Sequence, residues 1–380
     1  MLLISPMNHQ RRTRNTPALI RLLFPSVCFF FTASFPLQAQ EKAPSAPEIV
    51  KRVESILSNP AENGIVITLI VFGSQAYRQG FQLGDTLLTY NWKKPKSVAH
   101  LIELVGKVGE QEEVKVQLLS EGKPRMVSLK PGRIGIDGIP VKKGQPSSSR
   151  PDVADYKPDF STLDALKEAW FAFVQEGKRI GYERHLLKER DGVFWLNAQS
   201  IFSTDGETVN MKIDIQVRRE SGLPFQKVGY LWGNGDFKIQ LVNDGKTISG
   251  AIDDYKLQFA APADVLPTYC SGLLATTLPL EVGAGTRLTL LGEGNATLYY
   301  GSALVCRGQK EAEVLGKKVR AWQFEQSSFG KIGNIYWLDD DRKLVKAIFN
   351  QGEIHRTTKA DALKNLPNGV LEVEDKAREK

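Results

Sequence analysis

Beyond residue 40 the chain carries three histidines, His100, His185 and His355, the side chains best suited to moving a proton near neutral pH. A serine hydrolase would need one of them beside a nucleophile and an orienting acid. No serine sits in a Gly-x-Ser-x-Gly elbow. Ser271, in Cys270-Ser271-Gly272, is the nearest imitation, and no histidine is close to it in sequence. Cys270 could act with His185 or His355 only if the fold brought them together. The metalloprotease spacing His-Glu-x-x-His is absent. Asp339, Asp340 and Asp341 lack the spaced ligands and glycine of a calcium loop and read as a solvated turn. No glycine fingerprint opens a βαβ unit, so a dinucleotide site has no support. The sequence thus offers no catalytic motif, no metal-ligand set and no cofactor site, while carboxylate pairs, which form in space, stay open.

Of the three cysteines, Cys28 lies in the N-terminal segment, leaving Cys270 and Cys306 as an even pair. A disulfide and two buried thiols are both compatible with that count in an oxidising compartment.

The N-terminus points to export. Arg11, Arg12, Arg14 and Arg21 precede the apolar run Leu22 to Phe31, and Leu37-Gln38-Ala39 offers a small residue for cleavage. That is the layout of a secretory signal over 1–39. A retained N-terminal segment would instead allow membrane association, although Pro25 and Pro36 interrupt it. The formal net charge of +7 falls to +3 without residues 1–39, which carry four arginines and no acid. With basic residues spread along the chain rather than gathered beside aromatics, nucleic acid is not expected as a partner. The expected location is the periplasm or cell envelope of a bacterium.

These residues must be positioned by two folded regions. A lead-in with a short helix occupies 40–63, and a compact β/α unit follows at 64–139. Residues 65–71, 86–91, 114–118 and 126–129 read as its strands. Ser97 N-caps a helix whose apolar face is Val98, Leu101, Ile102 and Val105. Prolines 140, 146, 151 and 158 with serines 147–149 mark 140–160 as a linker. From 161 to 357 the period is mostly two, as in Val209, Met211, Ile213, Ile215 and Val217, which predicts a large antiparallel sheet. Helical patterns interrupt it near 162–168 and 267–274. Residues 358–380 read as a charged tail that frays.

Gly73-Ser74-Gln75-Ala76-Tyr77-Arg78-Gln79-Gly80-Phe81-Gln82-Leu83-Gly84-Asp85 resembles the core segment of bacterial PDZ domains. Gly73, Gly80 and Gly84 supply the tight turns, and Asp85 can accept backbone N–H groups there. The resemblance implies a peptide groove between a sheet edge and a helix, with a glycine-bearing loop for a terminal carboxylate. Here the loop does not precede the first strand. Pro131-Gly132-Arg133-Ile134-Gly135-Ile136 follows the last one, which implies a permuted groove. Gly132, Arg133, Ile134, Gly135 and Ile136 would line one side, with Ser97, His100 and Leu101 on the helix opposite. The competing reading makes 132–136 a closing strand with ordinary turn glycines.

The second region resembles, more loosely, envelope proteins with a long curved antiparallel sheet akin to lipoprotein-carrier half-barrels. The echoes are Gly177 to Tyr182, Ser221 to Pro224, Leu278 to Leu280 and Tyr336 to Asp339. Trp170, Phe173, Phe194, Trp232, Phe237 and Tyr255 could line a cavity or simply form core. The fold class expected is therefore mainly β, a small PDZ-like β/α domain plus a large antiparallel half-barrel or wrapped sheet. The function expected is that of a non-enzymatic binding or scaffold protein whose partner offers a C-terminus or loop. An apolar-ligand (lipid or lipoprotein) carrier and a PDZ-containing serine protease-like enzyme are the alternatives.

Overall fold

The computed structural model describes residues 44–364 except 110–112, 148–149, 164–167, 205–206, 221, 234–236 and 350–351, together with 366 and 370. Residues 1–39, where a secretory signal was expected, with Cys28, and the last ten residues lie outside the described residues.

Helix α1 (Ala46–Ser58) buries Ile49, Val53 and Leu57, spaced by four, and the Glu48 carboxylate accepts the Ser45 N–H at 2.7 Å at its start. It is followed by β1 (Gly64–Ile70), the short α2 (Gln75–Arg78), β2 (Thr86–Tyr90), α3 (Val98–Gly106), β3 (Val114–Ser120), β4 (Lys123–Leu129) and β5 (Ile136–Val141). These strands form one antiparallel sheet in the order β4-β3-β2-β1-β5. Ser97 caps α3 as its position suggests, its hydroxyl accepting the His100 N–H at 3.0 Å. The buried face of α3 is Leu101 and Leu104, whereas Ile102, expected inside, is half exposed.

The second sheet has sixteen strands. They are β6 (Ala154–Asp155), β7 (Glu168–Gln175), β8 (Lys178–Arg190), β9 (Val193–Thr204), β10 (Glu207–Arg218), β11 (Lys227–Trp232), β12 (Phe237–Asn243), β13 (Thr247–Ile252), β14 (Tyr255–Ala260) and β15 (Val265–Pro267), then β16 (Ala284–Gly292), β17 (Thr297–Val314), β18 (Lys317–Ser328), β19 (Lys331–Leu338), β20 (Leu344–Phe349) and β21 (Gly352–Thr357). The path runs from β14 back to β7, crosses to β21, and continues down to β15. First and last long strands are therefore neighbours: Phe173 faces Ile354 and Trp170 faces Thr357. Alternate residues from both halves, among them Phe194, Ile213, Ile239, Leu304 and Phe324, share one hydrophobic core.

This corrects the expected fold class. The sheet is mixed rather than antiparallel, because β15 and β6 both run parallel to β16. It is also open, ending at β14 and β15, and is not a half-barrel. Alternation tells which face of a strand is buried but not which way its neighbour runs. A parallel neighbour needs a long return connection. Here it is residues 268–283, which hold a 3-10 turn and the helix α4 (Ser271–Ala275). The 267–274 helical pattern marked that connection. The other pattern begins as a 3-10 turn at Phe160–Thr162, and 164–167 lie outside the described residues.

The two sheets touch. Phe329, at the turn between β18 and β19, is fully buried in a cluster with Val53, Leu57, Val66, Ile139 and Val141, and Tyr300 packs beside it. Lys331 pairs with Asp137 across the same boundary. Between them, Gly144 N–H donates to the Pro60 carbonyl at 2.8 Å, Ser147 N–H to that of Leu57 at 2.9 Å, and Arg150 pairs with Glu54. Helix α5 (Lys359–Ala362) packs against Trp170, whose ring centroid lies 5.5 Å from the Arg184 cation and 5.2 Å from that of Lys359.

Candidate functional site

The small sheet presents β5 as an edge. Its register with β1 fixes which of its main-chain groups face outward. Ile67 spends its N–H on the Asp85 carbonyl and accepts from Gly84 N–H, both on the β2 side, so its partner Gly138 points away from β1. Val71 N–H donates to the Gly135 carbonyl at 2.8 Å, which turns Ile136 outward as well. Among the described residues β1 is the only strand beside β5. Part of this edge is blunted: Gly138 N–H is taken by the Asp137 carboxylate at 2.8 Å, and Pro140 has no N–H to offer. The open stretch is centred on Ile136, beside α3.

The loop leading into this stretch is held by a residue that sequence reasoning did not single out. Gln75, on α2, donates to the Arg133 carbonyl at 3.2 Å and accepts the Lys130 N–H at 2.9 Å. Ile134 is buried, and its carbonyl accepts from Ala76 N–H. Gly132 is exposed with φ +103°, and a Cβ there would meet nothing within 4 Å. Gly135 (φ +81°) differs: a Cβ there would fall 2.1 Å from the Ser74 Cβ, so its glycine is required by packing. On the opposite side Leu101 is buried, Ser97 caps its helix, and His100 Nδ1 accepts the Lys96 N–H at 3.1 Å. The turn residues sit at left-handed positions, Gly73 at +69°, Gly80 at +67° and Gly84 at +93°, and buried Asp85 accepts the Gln82 N–H at 2.9 Å.

The cavity residues expected in the large sheet do not surround one space. Phe173 and Phe194 lie in the core, Trp170 packs against Tyr182 in a separate cluster, and Tyr255 is 58% exposed. The two depressions of note, about 340 and 350 Å3, are open to solvent, one around Arg218, Asn243 and Asp244 and the other around Lys310, Glu311 and Arg320. Cys270 and Cys306 are both buried free thiols.

The histidines find carboxylates and main-chain amides. His355 Nδ1 accepts the Leu315 N–H at 3.0 Å and its Nε2 lies 2.7 Å from Glu353. His185 Nε2 lies 2.6 Å from Glu183 and 3.0 Å from the Tyr269 hydroxyl. Glu183 is fully buried, and the hydroxyls of Tyr269 and Ser200 each donate to it at 2.5 Å. Burial opposes its ionisation, but the bonds from His185, Ser200 and Tyr269 outweigh that and hold the carboxyl below its ordinary value. Burial raises Glu293 to about 7, against the Tyr269 N–H, which it accepts at 2.6 Å, and its own main-chain N–H. Both pairs are written Glu-x-His on a strand, Glu183/His185 on β8 and Glu353/His355 on β21. That spacing places both side chains on one face, a signal the sequence did contain. No serine or cysteine side chain is bonded to a histidine ring among the described residues, and among them no group of His, Cys, Asp and Glu is arranged to hold a metal ion.

No family model matches the chain, and no curated protein matches it. Both resemblances are corrected by the architecture. In place of a PDZ domain and a carrier half-barrel, the chain has a small α/β domain and a large mixed sheet.

Proposed function

We propose that the chain is an exported envelope protein without catalytic activity that binds an extended segment of a partner protein along the outer edge of β5. The observation that carries this reading is the register of β5 on β1, which turns the main-chain groups of Ile136 outward at a sheet edge beside α3. A peptide laid there gains backbone hydrogen bonds, which supply affinity without regard to sequence. Side-chain preference would come from the half-buried apolar residues at the same end, Ile70, Ile136, Val98 and Val105, which pack against the small core. Pro140 and Asp137 limit the bound segment to a few residues, so modest affinity is expected. The basic n-region and apolar run before residue 40 support export.

Hydrogen exchange of the full chain, with and without peptides copied from tails and loops of envelope proteins, tests the reading. Bound peptide should slow exchange at 134–138 and along α3. Peptides that bind yet protect only other regions, or a broad peptide set with no binder, would overturn it.

A further inference from the structure

We propose that the β2–α3 turn is a membrane-surface contact, with Trp92 entering the headgroup region of an anionic bilayer and Lys93, Lys94 and Lys96 facing its phosphates. The turn is closed on both sides, Tyr90 N–H to the Lys93 carbonyl at 2.9 Å and Lys93 N–H to the Tyr90 carbonyl at 3.0 Å. Asn91 (φ 46°) and Trp92 (φ 64°) are its two central residues, both left-handed. Asparagine suits the first such position and glycine the second. An indole at the second is sterically disfavoured, and it is not compensated by burial, because Trp92 is 69% exposed. Folding alone gives no reason for this residue at this place.

The neighbours specify the partner. Lys93, Lys94 and Lys96 are all exposed, and none of the ion pairs among the described residues uses them. An exposed indole followed in the chain by three exposed lysines suits a bilayer interface, where tryptophan sits at headgroup depth and lysine is drawn to anionic lipid. Protein interfaces instead deplete lysine around their aromatic anchors. The tip lies on the β2–β3 side of the sheet, with β1 between β2 and β5, and its last residue, Lys96, leads into α3 beside the peptide edge; quenching of Trp92 and exchange at 134–138 therefore read the two contacts separately.

The test uses the full chain and vesicles of phosphatidylglycerol or phosphatidylcholine with bromine in the acyl chains. Subtracting the emission of Trp92→Gly from that of the parent isolates Trp92 among the six tryptophans. Because other segments could hold the chain on a vesicle, the local readout decides. Bromine should quench the Trp92 component on phosphatidylglycerol but not on phosphatidylcholine. Replacing Lys93, Lys94 and Lys96 by glutamine should weaken that quenching isotherm roughly a hundredfold. Trp92→Gly should melt no lower than the parent, since glycine relieves the turn. An unquenched Trp92 component on both vesicles, equal quenching on both, or a blue shift produced by envelope proteins but not by lipid would overturn the proposal.

Discussion

Around Tyr269 one residue serves two carboxyls, its hydroxyl donating to Glu183 and its main-chain N–H to Glu293. Glu183 has three side-chain partners and is held in the ionised form, while Glu293 has burial against it and is raised to about 7. The sign of the pH dependence follows. Below the ordinary value of 4.5 Glu293 is protonated folded or unfolded and has no effect. As pH rises towards 7 the unfolded chain releases this proton while the folded chain keeps it, so stability falls and then levels off above 7. The full loss is roughly 3 kcal/mol. Glu293→Gln keeps an acceptor for the Tyr269 N–H and removes the titration. Its stability by urea denaturation should match the parent at or below pH 4 and exceed it at pH 8. Equal stability of the two proteins at pH 8 would contradict the burial account. At this scale the Glu-x-His spacing was readable in the sequence. The third and fourth partners were not, because Tyr269 and Glu293 come from segments 84 or more residues from His185.

At the scale of elements, β5 and α2 depend on two glycines that look alike in sequence and differ in space. Gly135→Ala would place a methyl group against Ser74 in addition to the left-handed strain, a loss of about 2–5 kcal/mol. Gly132→Ala meets only the strain, about 1–3 kcal/mol. Thermal denaturation should rank them in that order, and adding Ser74→Gly should recover part of the Gly135→Ala loss but none of the other. Gly135→Ala is therefore a poor probe of binding, since it damages the sheet that carries the edge. The strand positions followed from alternation: Val209, Ile213, Ile215 and Val217 are the buried side of β10. The direction of β15 did not, because three buried residues in a row carry no sign of the parallel neighbour beside them.

For the whole molecule, a hairpin tip makes one contact between the sheets, and Phe72 against Tyr255 and Phe259 makes another. Phe329 sits at φ 48° before Gly330, and its ring, fully buried, reaches the cluster of α1, β1 and β5 residues. Removing it should cost about 3–5 kcal/mol. Since the ring belongs to the boundary rather than to either core, calorimetry of Phe329→Ala should separate one unfolding transition into two. A single transition with an unchanged midpoint would show that the sheets are not coupled there. No sequence pattern announced this contact, because an aromatic beside a glycine at a turn is ordinary in hairpins and its partner surface begins 180 or more residues away.

By itself the sequence determined what depends on neighbours along the chain. Strand periods, the Ser97 cap, the glycine turns, the Glu-x-His faces and the basic, apolar N-terminal run are set by a few consecutive residues and their local sterics. Tertiary structure alone decided which strands lie side by side and in which direction, which glycine is wedged against Ser74, which carboxyl keeps its proton, and where the two sheets meet. Those outcomes depend on distances between segments far apart in the chain, and hydrophobic burial, which drives them, rewards any partner of suitable shape without naming it.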